Sequence, residues 1–342
     1  MSQVYVGLDV SDKMTHICAV EHSGKVVWRG VCATDPEALA GTLKRRFGDV
    51  ERVVLETGTL SAFLYHGLLE RGLAVVCVCA RHAKGVLSAR VNKSDLHDAE
   101  GLAQMARTGW FKAVHIKDNQ THLDRAELRV REQLVKAHNA MVNQMRGLLK
   151  LFGLKLGAAN TPNKRQERLE VLFAQKPELK PILTPLVESI ASLEAQIRAA
   201  NKVMAARADA DPVCRRLMSV PGVGPVAAMT FKSSIEDPGR FAKSADAGAY
   251  AGLAPRRFQS GERDSKGRIS KAGDAGLRHA LYEAANVLLV RVKTPFPLQS
   301  WGKAIAAAKG AKRARVAVAR KLAALLHTLW RSETDFDGAK AA

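Results

Sequence analysis

Five side chains are placed to do chemistry: Asp9, Glu56, Asp95, Asp98 and Ser260. Asp9 interrupts the apolar run VGLDV, and Glu56 closes the apolar run VVLE. A carboxylate in an apolar strand loses hydration, so it needs a compensating partner. Asp95 and Asp98 stand three residues apart in NKSDLHDAEGLAQMAR, a loop running into a helix, with Ser94 as its expected N-cap. Both acids therefore project from one helix face, and Leu102 and Met105 continue that stripe. Two inward acids repel each other unless something positive lies between them, and a divalent cation meets that need. Four carboxylates from three elements are enough for two such ions. A pair of ions about 3.5–4 Å apart activates a nucleophile and stabilises the leaving oxygen in displacement at a phosphodiester. Singly, each acid has a plainer account, as a turn residue or as a favourable charge at a helix start. The metal reading rests on all four together.

Ser260 lies in YAGLAPRRFQSGERDSKGRISKAGD, residues 250–274. This stretch reads as a basic, glycine-bearing loop carrying Arg256, Arg257, Arg263, Lys266, Arg268 and Lys271, suited to gripping a phosphate backbone. A serine hydroxyl is a weak nucleophile, but surrounding guanidinium groups stabilise charge on phosphorus and on a leaving oxygen. A solvated loop serine fits the same composition. Ser270 is the rival hydroxyl, expected to cap the helix that follows. Upstream, SVPGVGP (residues 219–225) sits between two helical runs, as in a helix-hairpin-helix. Gly222 and Gly224 would there let backbone N–H groups approach a phosphate. An ordinary helix–helix turn gives the same pattern.

The elements that must position these residues change along the chain. Residues 3–80 alternate apolar strands and helices after a three-stranded start with a hairpin turn at Ser23-Gly24, which predicts a mixed sheet covered by helices. Functional residues gather at the carboxyl ends of strands in open α/β sheets, where Asp9 and Glu56 fall. From Thr121, apolar residues recur at three- and four-residue steps through Leu123, Val130, Leu134, Met141, Met145 and Phe152. This predicts one long amphipathic helix. A second run from Leu179 to Met204 is close to a heptad. Together they predict a coiled-coil arm, paired either as an antiparallel hairpin or between subunits. A buried helix over 277–292 and a basic helical tail over 304–331 complete the chain, with 332–342 expected to be disordered.

The 342 residues carry 53 Lys and Arg against 33 Asp and Glu, a formal net charge of +20. Such a surplus points to a polyanionic partner, nucleic acid first. The 47% hydrophobic content supports a proper core. No apolar run reaches the roughly 20 residues that span a bilayer, and MSQVYVGLDV does not have the form of a signal peptide. The five cysteines form no CxxC pair, consistent with free thiols in a reducing cytoplasm and against a zinc site.

These motifs together resemble the 110-type insertion-sequence transposases, a family that includes the Piv pilin-gene invertase, over almost the whole chain. Asp9 in GLDVS, Glu56 in VLETG, and Asp95 and Asp98 in KSDLHDAEGLA match the family's DEDD tetrad. Pro221–Gly224 matches its PGVG-type hairpin, and the segment from Gly252 to Gly273 its GLxPR…SG…GRISKxG block. The resemblance implies a RuvC-like domain of RNase H fold over 1–118, a coiled-coil arm over 119–208, and a mainly α C-terminal transposase domain over 209–331. It implies a Mg²⁺-binding tetrad and Ser260 as the nucleophile that forms a covalent phosphoserine–DNA link. It implies as partners donor and target DNA, a non-coding bridge RNA and further copies of the chain. Those copies would form a dimer or tetramer whose active sites combine subunits, in a bacterial cytoplasm beside the nucleoid. Two alternatives stay open. One is a RuvC-like nuclease or junction resolvase in which the acids activate water; the other is a non-catalytic nucleic-acid-binding protein.

Overall fold

The computed structural model describes residues 3–87, 95–159, 161–261 and 263–338, the side chains of Arg263 and Lys266 excepted. Ser94 lies outside the described residues. The chain divides into two compact units, Met1–Asp118 and Asn119–Ala342.

The first unit is built on a five-stranded mixed sheet. Its elements are β1 (Val4–Val10), β2 (Met14–Glu21), β3 (Val26–Ala33), α1 (Pro36–Phe47), β4 (Arg52–Glu56), α2 (Ser61–Glu70), β5 (Val75–Val78), α3 (Ala80–Leu87) and α4 (Asp95–Thr108). The strand order is β3-β2-β1-β4-β5. β1 pairs antiparallel with β2 and parallel with β4, which puts β1 at the centre, buried on both faces. Strand alternation sorts its residues between two cores. Val4, Val6 and Leu8 join Leu39, Leu43, Leu64 and Leu68 on the α1 and α2 side. Tyr5 joins Cys18, Val54, Ala99 and Leu102 on the α4 side. Asp35 caps α1 through the backbone N–H groups of Glu37 and Ala38, with Pro36 at the first helical position. Helix α3 begins at Ala80, one residue beyond β5, within the apolar run that closes at that residue.

The second unit is almost wholly helical. Its first part comprises α5 (Asn119–Leu151), α6 (Pro162–Gln175) and α7 (Leu179–Ala210). Helices α5 and α7 pair antiparallel within the chain. Arg131 donates to Asn201 at 2.6 Å, His138 meets Glu194 at 3.0 Å, and Arg207 bridges Asp124 and Glu127. The predicted apolar stripe divides in two. Met145, together with Val142 and Leu149, is buried against Leu169, Leu183 and Ile190, whereas Leu123 and Val130 stay exposed.

The remainder comprises α8 (Pro212–Met218), α9 (Pro225–Ile235), α10 (Ala245–Tyr250), β6 (Pro255–Ser260), β7 (Arg263–Ile269), α11 (Ala275–Val290), α12 (Pro297–Lys309) and α13 (Ala311–Ser332). Within this unit Arg125 on α5 bonds Asp274, the N-cap of α11, at 2.9 Å. Three expectations are corrected here. The basic loop over 250–274 contains an antiparallel ribbon, β6 with β7. The basic tail over 304–331 is two helices broken at Gly310, and α13 is a core helix with Val318, Leu322, Leu326 and Trp330 buried. The C-terminal end, expected to be disordered, is packed as far as Phe336, whose ring meets Phe296 edge-on and whose N–H donates to Ser219.

All five cysteines are free. Burial pushes the Cys77 and Cys214 thiols up, to about 11 and about 12, so both stay protonated and neither is a ready metal ligand. Among the described residues no helix is long and apolar enough to cross a membrane.

Candidate active site

Asp9 stands near the end of β1 with the parity of Tyr5 and Gly7, and so faces α4. Gly7 fixes how closely that helix approaches. A Cβ there would lie 2.2 Å from the Ala99 carbonyl oxygen and 2.3 Å from the Ala103 nitrogen. The backbone of α4 therefore rests directly on β1, and only glycine permits it. Two strand residues beyond Gly7 advance about 6.6 Å, and one helical turn back from Ala99 covers about 5.4 Å. Asp9 is thus level with the first turn of α4, where Asp95 and Asp98 lie. Ala99, Leu102, Met105 and Ala106 bury the inner face of α4 and hold it in place.

One residue joins this site that the sequence does not single out. His16 is the direct cross-strand partner of Asp9 in the β1–β2 ladder. Opposed residues of an antiparallel pair point to the same face, so its imidazole also turns toward α4. Single ligand atoms of Asp9, His16 and Asp95 all lie within 4.8 Å of one another. The His16 Nδ1 is 3.7 Å from an Asp95 carboxylate oxygen, with side-chain exposures of 25% and 67%. Among the described residues no other trio of His, Cys, Asp or Glu meets that spacing.

Glu56 and Asp98 flank this trio without belonging to it. Glu56 has the parity of Val54, which lies in the α4-side core, and it follows the Leu8–Leu55 pair on the strand beside Asp9. Asp98 lies three residues after Asp95, in the same first turn of α4. Carboxylate oxygens with one imidazole nitrogen form a donor set that suits a divalent cation.

Ser260 belongs to the other unit. It ends β6, exposed at the tip of the ribbon, opposite Arg263 across a turn through Gly261. Arg257 forms a bidentate pair with Asp264, both bonds 2.8 Å. That pairing holds its guanidinium pKa above the ordinary arginine value and anchors the ribbon's register. Arg256, Lys271 and Phe258 are exposed, and Arg268 stands on β7. Ser270 does not cap α11: Asp274 does so, accepting from the Leu277 N–H at 3.0 Å, while the Ser270 hydroxyl accepts from Ala272 N–H at 3.3 Å.

The turn between α8 and α9 divides its glycines. A Cβ on Gly222, at φ +94°, would sit 3.0 Å from both the Ala284 carbonyl oxygen and the Leu288 Cβ, so this glycine serves packing against α11. Gly224 faces open space and precedes Pro225 at the start of α9, a helix start with no side-chain cap. Such a start suits an anion.

A carboxylate-bearing mixed α/β unit is followed by a helical unit with a basic ribbon, and sequence comparison places this arrangement among DNA-processing enzymes. The profile described as Transposase IS116/IS110/IS902 family matches residues 214–299, and the DEDD transposase profile of IS110 type matches residues 6–153. The chain is 30% identical over 331 residues to the transposase for insertion sequence element IS1111A of Coxiella burnetii, covering 95% of this chain and 88% of that protein. It is 24% identical over 299 residues to the transposase for IS1328 of Yersinia enterocolitica, covering 84% of each. Thermus thermophilus RuvC aligns with 33% of this chain and all of that one, at 16% identity and a TM-score of 0.25. The chain belongs to the IS110/IS116/IS902 family of insertion-sequence transposases.

Proposed function

We propose that this transposase cuts and rejoins DNA strands with a metal-dependent carboxylate site and a serine nucleophile. Asp9, Glu56, Asp95 and Asp98 would hold Mg²⁺, as a single ion or a pair, and Ser260 would attack the phosphodiester. When bound, the metal would supply Lewis-acid stabilisation of charge at the scissile phosphate. Ser260 Oγ loses its proton as it bonds to phosphorus, and the departing sugar oxygen takes one up as its P–O bond breaks. The incoming strand's hydroxyl then displaces Oγ, and the serine regains its proton. Arg256, Arg257, Arg263, Lys266, Arg268 and Lys271, with the backbone at Gly222 and Gly224, would bind the nucleic-acid backbone. Of these, Gly224 is better supported than Gly222, whose missing Cβ is accounted for by α11.

The observation that carries the reading is the convergence of Asp9 and Asp95 from a central strand and the first turn of α4. The acids and Ser260 lie in different compact units, Met1–Asp118 and Asn119–Ala342. The reading includes a site completed by a second copy, in a dimer or tetramer organised by the coiled-coil arm of 119–208. The domain plan is then a RuvC-like 1–118, the arm, and a serine domain of 209–331 with a helix-hairpin-helix at α8–α9. A bridge RNA pairing with donor and target would supply sequence specificity that a side-chain inventory lacks, in a cytoplasmic, nucleoid-associated setting. The convergence of Asp9 and Asp95 also serves a second reading, in which the acids activate water and Ser260 is inert. Incubating the protein with its element's flanking RNA, labelled DNA and Mg²⁺ distinguishes the two: a protein–DNA adduct supports the serine route, and free cleaved ends support hydrolysis.

A further inference from the structure

We infer that His16 is a direct nitrogen ligand in the carboxylate site, and that it biases this metal position toward a borderline transition ion over Mg²⁺. The inference rests on the metal reading above and adds to it a residue outside the DEDD pattern. Three observations carry it. His16 is fixed opposite Asp9 by the β1–β2 register, so its direction is set by the ladder and not by a flexible loop. Its Nδ1 lies 3.7 Å from an Asp95 carboxylate oxygen, too long for a hydrogen bond. Yet two donors each about 2.1 Å from one ion stand about 3.0 Å apart at a right angle and about 4.2 Å apart in trans, which brackets the observed spacing. The Asp9 oxygen completes a trio within 4.8 Å.

The chemistry of the trio decides the preference. Mg²⁺ favours oxygen donors and gives up its water reluctantly. An imidazole with two carboxylates suits Co²⁺, Zn²⁺ or Mn²⁺ better, following the rise in nitrogen affinity along the first-row divalent ions. Glu56 and Asp98, outside the trio, would leave an oxygen-only position for Mg²⁺ beside it.

The test uses the untagged full chain. Mn²⁺ bound to the wild type should show a directly coordinated ¹⁴N in pulsed electron paramagnetic resonance. That signal should vanish in both His16→Ala and His16→Gln, with each variant's fold checked by its thermal transition. By calorimetry, both variants should weaken Co²⁺ binding by about tenfold or more while Mg²⁺ affinity stays within about twofold. A ¹⁴N signal absent from the wild type, or surviving in both variants, overturns the assignment. So does an equal loss of Co²⁺ and Mg²⁺ affinity. Asp9→Asn separates this from the broader reading. If the wild type binds Mg²⁺, the Asp9 variant does not, and no ¹⁴N is seen, the carboxylate site stands and only the His16 role fails. If the wild type binds no divalent ion, both fall.

Discussion

The Gly7 Cα and the Ala99 carbonyl are so close that a single added methyl at Gly7 would stand 2.2 Å from that oxygen. The placement of Asp95 above Asp9 follows from this contact. Gly7→Ala must lift the N-terminal half of α4. Overpacking of this kind costs about 1–3 kcal/mol, with the upper end expected because the obstacle is backbone. Thermal unfolding should shift down, and divalent-ion affinity should fall in the folded fraction. Unchanged metal affinity in a folded Gly7→Ala protein would detach α4 from the site.

Asp9→Asn keeps the size of the side chain and removes its charge. Loss of several kcal/mol of metal-supplied stabilisation corresponds to a rate drop on the order of a thousandfold. Strand cleavage measured in saturating Mg²⁺ should fall by that order, while DNA binding measured without metal persists.

Asp274 provides a pH-dependent test of the link between α5 and α11. Burial pushes its carboxyl pKa up, but the Leu277 N–H and the Arg125 guanidinium pull it further down, so the net value lies below the ordinary one. The unfolded chain then binds the proton first. The stabilisation is present above the ordinary carboxylate value, about 3.9, and is lost as pH falls through the lower folded value. Urea midpoints of wild type and Asp274→Asn should differ most near pH 6 and converge as pH falls below about 4. A gap that widens on acidification would contradict this placement of the charge.

How much of this is legible from sequence depends on the range of the interactions. β1, β4 and α4 can be read because apolar alternation and helical spacing are local signals, and the acids stand out as exceptions to them. His16 cannot be singled out in the same way. In HICAVE it has the parity of Cys18 and Val20, but its partnership with Asp9 requires the register of the β1–β2 hairpin, which the intervening SDK turn leaves open. The antiparallel pairing of α5 with α7 is one of two arrangements the stripes allow. The choice is made by long-range pairs such as His138 with Glu194. The ribbon holding Ser260 reads as a loop because its strands are charged on both faces and bury little. Its register is anchored by Arg257 and Asp264, seven residues apart.

The basic ribbon should act through charge. Arg268 is exposed on β7. Arg268→Ala should weaken binding to unrelated DNA sequences alike. It should also reduce the slope of log affinity against log salt by about 0.9 for each phosphate that Arg268 neutralises. A sequence-dependent effect with no change in slope would point to base recognition instead.

In the proposed reaction the atom attacking DNA is Ser260 Oγ, and the carboxylate unit enables it. The most direct measurement is denaturing electrophoresis of labelled DNA after reaction with wild type, Ser260→Ala and Asp9→Asn, each with Mg²⁺ and with EDTA, followed by peptide mapping of any adduct. The expected result is a covalent adduct only for wild type with Mg²⁺, mapping to the peptide that contains Ser260. An adduct that survives Ser260→Ala, or cleavage by that variant leaving free ends at the wild-type rate, would contradict the account.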